Sequence, residues 1–181
     1  MRVFTDRHDA GAQLACALRG YADASDAIVV AHTLGSVPAA YEVAVRLALP
    51  LELLADDVGD IDPALAQAGA EHALELADRI VLLIDDGDAA RDLPATIGRL
   101  RGLGARAIVA AVAIASPQVH VALAAAADEL ICVLAPQHIY SVQAWYADFT
   151  EPSDEDIREL RVAAAQNLLG IRRGRFSQLT G

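Results

Sequence analysis

The sequence predicts an α/β domain, doubly wound, with a mostly parallel five-stranded sheet flanked by helices. Three observations carry that prediction. Short runs of Val, Ile, Leu and Ala without polar alternation recur along the chain, as expected of strands covered on both faces. Longer helical stretches separate those runs, which is the strand–helix alternation of crossover units. A composition of 55% hydrophobic and 22% charged over 181 residues is enough for one core of ordinary size and excludes a disordered chain.

Taken in order, residues 9–19 place Leu14, Ala15 and Leu18 on one helix face. Residues 27–31 read as the first strand, followed by a helix over 37–48 and a short second strand over 51–54. A helix over 63–77 leads to a third strand over 79–84, and a helix over 94–103 follows it. Residues 107–115 and 129–134 read as the last two strands, with a helix over 117–126 between them. The C-terminal helix opens at Pro152-Ser153-Asp154-Glu155, where Ser153 suits the N-cap and the acids suit the first turn. Its basic end, Arg172-Arg173-Gly174-Arg175, reads as a solvated, fraying terminus. The expectation is a single domain over 1–181, with a core at about 24–136 and accessory helical segments at 1–23 and 137–181. Crossovers in such a sheet are right-handed, and ligands collect at the carboxyl ends of the strands.

Charge removes several functions. With 14 basic against 25 acidic residues the net charge is −11, so a nucleic-acid partner is disfavoured. Every basic side chain is Arg, which removes Schiff-base chemistry and a P-loop lysine. Cys16 and Cys132 lie far apart in apolar surroundings and read as buried thiols, with no disulfide or zinc spacing. The N-terminus lacks the apolar stretch of a signal peptide. The longest apolar run, over 107–116, falls far short of the roughly 20 residues that span a bilayer. A cytoplasmic protein without membrane contact is expected.

Chemistry concentrates at Val81-Leu82-Leu83-Ile84-Asp85-Asp86-Gly87. Adjacent acids at the end of a buried strand repel each other and lose solvation, so something must compensate them. The residues leave open a cation, backbone N–H groups at the next helix or the vicinal hydroxyls of a sugar. They also leave open a solvated turn in which an Asp caps the helix.

Ile84-Asp85-Asp86-Gly87 resembles the signature of type I phosphoribosyltransferases. The whole chain is similar to a bacterial subgroup of predicted members of that family. Supporting residues are Phe4, Asp6, Arg7, Asp9, Ala10, Gly11, Leu14 and Ala15 at the start, and Gly35, Val37, Pro38, Ala40, Glu42, Val43 and Ala44 after the first strand. Ala127-Asp128-Glu129 and Trp145, Tyr146, Asp148, Phe149, Ser153, Asp154 and Glu155 extend the match towards the end. The resemblance implies that Asp85 and Asp86 are the catalytic pair and hold the ribose hydroxyls of phosphoribosyl pyrophosphate. It further implies that Gly87, Asp88, Ala89, Ala90, Arg91 and Asp92 surround the 5′-phosphate, while Leu34, Gly35 and Ser36 face the pyrophosphate. Mg²⁺ would be held through the pyrophosphate and ribose near the acids, and a homodimer is the expected assembly.

The chain departs from the family at three places. The Thr-Gly-x-Thr phosphate loop is replaced by Asp88-Ala89-Ala90-Arg91-Asp92-Leu93-Pro94, and two unit charges at about 5 Å repel by roughly 3 kcal/mol at a dielectric near 20. Arg91 is placed to offset that charge, whereas Pro94 removes one N–H donor from the helix start. The Arg-Gly-Gly pyrophosphate loop is Leu34-Gly35-Ser36, without its cation; His32 and Arg7 are the candidates to approach it. The hood insertion is shortened to Asp56-Asp57-Val58-Gly59-Asp60, an acidic turn that with Asp62 matches no calcium loop. His8, His32, His72, His120 and His138 show no metal spacing, and Trp145, Tyr146 and Phe149 are expected to pack the C-terminal segment rather than stack a base. Two functions follow: binding of a sugar phosphate at the Asp pair with transfer to an acceptor, or a catalytically degenerate relative acting as a regulatory, ligand-binding or assembly module.

Overall fold

The computed structural model describes residues 3–54 and 76–179. Strands β1 (Ala27–Ala31), β2 (Leu51–Leu53), β3 (Ile80–Asp85), β4 (Ala107–Ile114) and β5 (Glu129–Leu134) form one sheet in the order β2-β1-β3-β4-β5. Every pairing is parallel, and the register runs Leu51–Val29–Leu82–Val109–Glu129 across the sheet. Alternating strand residues serve opposite faces, as the period of two requires. Val29, Ala31, Leu82, Ile84, Val109 and Ala111 pack beneath helices α1 (Arg7–Ala17), α2 (Val37–Leu47) and the start of the C-terminal helix. Ile28, Val30, Val81, Leu83, Ile108 and Ala110 pack beneath α3 (Leu93–Gly102) and α4 (Pro117–Ala126). The doubly wound α/β expectation therefore holds. Among the described residues no helix is long and apolar enough to cross a membrane.

The elements match the expected ranges to within two residues at each described end, and β1, α4 and β5 match outright. One shift matters for the site: β3 runs on through Asp85, which pairs in register with Val112 and so belongs to the ladder rather than to the loop after it. The C-terminal helix α5 (Asp154–Leu179) begins as expected, with Ser153 Oγ accepting from the Asp156 amide at 3.2 Å and the Asp156 carboxylate accepting from the Ser153 amide at 2.8 Å. It stays helical through the stretch expected to fray. Residues 63–75 of the expected helix and the turn containing Asp56, Asp57, Asp60 and Asp62 lie outside the described residues, as does the shortened hood.

The terminal segments are less peripheral than their description as accessory implies. Phe4, Ala10, Leu14 and Leu18 join Tyr146 and Ile157 in the same core cluster as α2. Gly11 is the reason α1 lies so close to α2: a Cβ there would stand 2.4 Å from the Ala39 carbonyl oxygen. Residues before α1 also bond to the chain after β5, through Phe4 N to Trp145 O at 3.0 Å and Asp148 N to Thr5 O at 2.8 Å. Tyr146 is buried between the rings of Phe4 and Phe149, the packing role expected of that aromatic group. Cys16 departs from expectation. Gly11, Leu14, Ala15 and Leu18 define the inner face of this turn of chain, which leaves Cys16 exposed; Cys132 is half-buried.

Candidate active site

The helix after β1 packs on one face of the sheet and the helix after β3 on the other. Since β1 and β3 are neighbours, their carboxyl ends form the switch point at which open α/β sheets bind ligands. Residues 32–36 leave one strand there and residues 86–92 leave the other. The acidic pair thus stands where the fold favours a site.

Asp85 and Asp86 are nevertheless 0% and 1% exposed. His32 Nδ1 lies 2.8 Å from Asp85 Oδ2, and His32 Nε2 lies 3.1 Å from Thr96 Oγ1 in α3. With Asp85 ionised, Nδ1 donates to it, and the other ring nitrogen is held by the Thr96 hydroxyl. The Gly87 amide donates to Asp85 Oδ1 at 2.7 Å. Burial pushes the Asp85 carboxyl above its ordinary value and the charge of Asp86 adds to the rise, against opposing contributions from His32 and the Gly87 amide.

Arg7, at the start of α1, covers Asp86. Its Nε donates to Asp86 Oδ2 at 2.7 Å and its Nη1 to the Phe149 carbonyl at 3.0 Å and to the Thr150 carbonyl. Its Nη2 donates to Glu151 Oε1 at 2.6 Å, and its guanidinium carbon lies 3.8 Å from the centre of the Phe149 ring. Burial works against the charged guanidinium, but the bonds and attraction to Asp86 and Glu151 outweigh it and raise its pKa. The Asp88 amide donates to Asp86 Oδ1 at 3.1 Å, and Tyr146 Oη donates to the Asp86 carbonyl at 2.5 Å. Burial, together with the charges of Asp86 and Asp85, raises the pKa of the Tyr146 phenol. Compensation of the acids therefore comes from a cation, a histidine and backbone amides, all supplied by the chain itself.

The remaining expected site residues divide. Gly35 and Ser36 lie in the turn after β1 beside Arg7, and a Cβ on Gly35 would stand 3.5 Å from Arg7 Nη2. Ser36 is fully buried and its hydroxyl is turned inward, donating to the Thr33 carbonyl at 2.8 Å and accepting from the Thr33 amide at 3.0 Å. Leu34 packs against the core. Gly87 is buried with φ at +110°, and a Cβ would come 2.3 Å from Ile114 Cγ2, so this turn requires glycine. Ala90 joins the core beneath α3, while Asp88, Arg91 and Asp92 are exposed. Ala89 is half-buried. Ala90 and Arg91 line a cavity of about 350 Å³ with Pro94, Ser116 and Val119, at the start of α4. Neither Asp85 nor Asp86 lines that cavity.

Thr96 carries no sign of a site role in the sequence. Arg7 and His32 are candidates there on position alone, because a separation of 79 positions between Arg7 and Asp86 carries no local signal of contact. Among the described residues no group of three or more His, Cys, Asp or Glu side chains is placed to hold a metal ion.

No protein-family model matches the chain. Two Mycobacterium tuberculosis proteins, "Putative phosphoribosyl transferase MT0597" and "Putative phosphoribosyl transferase Rv0571c", are each 28% identical to it over 87% of this chain and 46% of their own. It thus spans about half the length of the curated relatives it matches. The crystal structure of TT1426 from Thermus thermophilus superimposes with a TM-score of 0.68, at 28% identity, over 90% of this chain and 99% of that one. The chain is phosphoribosyltransferase-like. In this phosphoribosyltransferase-like chain the strand-end acids of the family pattern are present, but Arg7, His32, Gly87 and Asp88 already occupy their carboxylates.

Proposed function

We propose that this phosphoribosyltransferase-like protein keeps the family scaffold without phosphoribosyl transfer and serves as a ligand-binding, regulatory or assembly module. One observation carries the reading: both strand-end carboxylates are buried, and each of their oxygens already bonds to a group of the chain itself. A ribose hydroxyl could reach them only by displacing Arg7 or His32, and each displacement strands a buried charge or polar group at a cost of several kcal/mol, on the order of 3–5 for an ion pair. The altered loops support the same conclusion. Asp88, Arg91 and Asp92 are exposed rather than gathered on the acids, and Ser36 spends its hydroxyl within its own turn.

A second reading is favoured by Arg7, whose guanidinium supplies beside Gly35 the cation that position 34 lacks. On that reading Asp85 and Asp86 hold phosphoribosyl pyrophosphate with its Mg²⁺ in a cytoplasmic homodimer, and the protein transfers phosphoribose to an acceptor. Isothermal titration with phosphoribosyl pyrophosphate and Mg²⁺ separates the two. The first reading expects no saturable heat at millimolar ligand. Micromolar binding that disappears on combining Asp85→Asn with Asp86→Asn would establish the second.

A further inference from the structure

Charge is spread unevenly along this chain. Asp128 and Glu129 are the only Asp, Glu, Lys or Arg residues over 107–147, a stretch that contains β4, α4 and β5. Both are engaged within the chain: Asp128 accepts from Arg101 Nη2 at 3.1 Å and from the Ile108 amide at 2.8 Å, and Glu129 accepts from the Tyr21 hydroxyl. In β4 the lack of charge follows from burial. In α4 and β5 it does not. Leu123 is the one buried residue of α4, while Val121 is 69% exposed and Gln118, Ala122, Ala124 and Ala125 are exposed with it. β5 is the last strand of the sheet, and outside its ladder with β4 no hydrogen bond among the described residues reaches the backbone of residues 130–133. Every second residue of such an edge turns its N–H and C=O outward. Edge strands are ordinarily guarded by Lys, Pro or a bulge, yet residues 130–134 carry neither charge nor proline. Tyr140, in the loop that leaves β5, is 99% exposed.

We infer that the open edge of β5 and the outer face of α4 form one interface, and that its occupant is a second copy of this chain. A two-fold axis through the middle of β5 sets the two edges antiparallel and joins the two five-stranded sheets into one. The pairing is self-complementary. Residues 130–134 are apolar read in either direction, and each outward N–H meets an outward C=O of the same strand in the other copy. The carboxyl end of each β5, with Tyr140 beyond it, then lies beside the amino end of the other. Because α4 packs on one face of the sheet against Leu130 and Cys132, the same axis brings the two α4 helices together. Their exposed alanines leave room for a close approach. Charge selects this occupant. At net −11 two copies repel wherever their acidic surfaces meet, whereas α4 and residues 130–140 bring no carboxylate or guanidinium to the contact. Depletion of charge together with an exposed tyrosine is the composition of an interface core. Size agrees as well: β5, α4 and the loop over 135–140 approach the roughly 20–30 residues that a standard interface takes from each partner.

The inference holds whether or not the Asp pair binds ribose, and none of its test outcomes bears on that question. The test compares the natural protein with Val121→Glu, which adds a charge at an exposed helical position and leaves the buried face of α4 intact. Sedimentation equilibrium should return a dimer for the natural protein, with a dissociation constant at least about tenfold weaker in Val121→Glu. Tyr140→Ser, at a side chain exposed almost completely in the single chain, should weaken the dimer in the same direction. Hydrogen exchange then locates the contact. The amides of residues 129–134 should exchange at least about tenfold more slowly in the natural dimer than in the Val121→Glu monomer, while those of interior strand β1 stay equal. Added sodium chloride should tighten the dimer, because screening relieves repulsion and no ion pair is lost. A natural protein that stays monomeric overturns the inference. So does a dimer whose β5 amides exchange as fast as those of the monomer, or one that Val121→Glu and Tyr140→Ser both leave unchanged.

Discussion

Asp85 and Asp86 share a strand end but differ in what neutralises them. Asp86 meets a fixed cation in Arg7, whereas Asp85 meets the imidazole of His32 and the Gly87 amide. Burial raises the Asp85 pKa above its ordinary 3.8, which fixes the direction of the stability effect. An acid with a raised folded-state pKa binds its proton more tightly in the folded chain. That contribution is fully present below the ordinary carboxylate value and is lost as pH climbs through the raised one. Asn keeps a hydrogen-bonding partner for His32 and carries no charge. The melting temperature of Asp85→Asn relative to the natural protein should therefore improve as pH rises above the ordinary carboxylate value and level off once pH has passed the raised one. A difference that is flat in pH would mean that Asp85 is not held above its ordinary value in the fold.

At the scale of elements, two helical glycines separate packing from propensity. Gly11 in α1 faces the backbone of α2, where a Cβ would stand 2.4 Å from Ala39 O and 2.6 Å from Ala39 Cα. Gly98 in α3 has nothing within 4 Å of the same position. Alanine improves a helix interior by up to about 1 kcal/mol, so Gly98→Ala should stabilise by about that amount. At Gly11 the clash is backbone against backbone and no side chain can rotate away. Overpacking should outweigh propensity and cost about 1–3 kcal/mol, read as a lower urea midpoint at an unchanged slope. Stabilisation by both substitutions would show that α1 and α2 are not in contact at Ala39. The strands and helices themselves were legible because hydrophobic period is local. Continuous runs such as Ala27–Ala31 and Glu129–Leu134 state their burial within a few residues. The tight approach of α1 to α2 was not legible, because a glycine in one helix does not name the backbone it will meet in another.

For the whole molecule, the same distinction explains why the fold was easier to read than the site. The acidic pair and its glycine stood out in sequence, but Arg7 and His32, which bond the acids, and Thr96, which bonds His32, come from three separate stretches of the chain. Glu151 is 144 positions from the guanidinium it touches. Charge is the other property that belongs to the molecule as a whole. A net −11 on 181 residues makes the folded state repel itself, and screening relieves that repulsion. Salt also weakens exposed pairs such as Arg101–Asp128 and Arg106–Asp26, but solvent already screens these contacts. The Arg7–Asp86 pair is buried and little screened. Raising sodium chloride from about 0.01 M to about 0.1 M shortens the screening length from roughly 30 Å to roughly 10 Å, below the span of the domain. Repulsion among many distant carboxylates is lost over that range, while contacts at hydrogen-bond distance persist. The melting temperature by scanning calorimetry should rise by a few degrees, about 1 kcal/mol corresponding to roughly 2–4 °C at this size. A fall over the same range would mean that surface ion pairs, rather than net repulsion, govern the stability of this acidic domain.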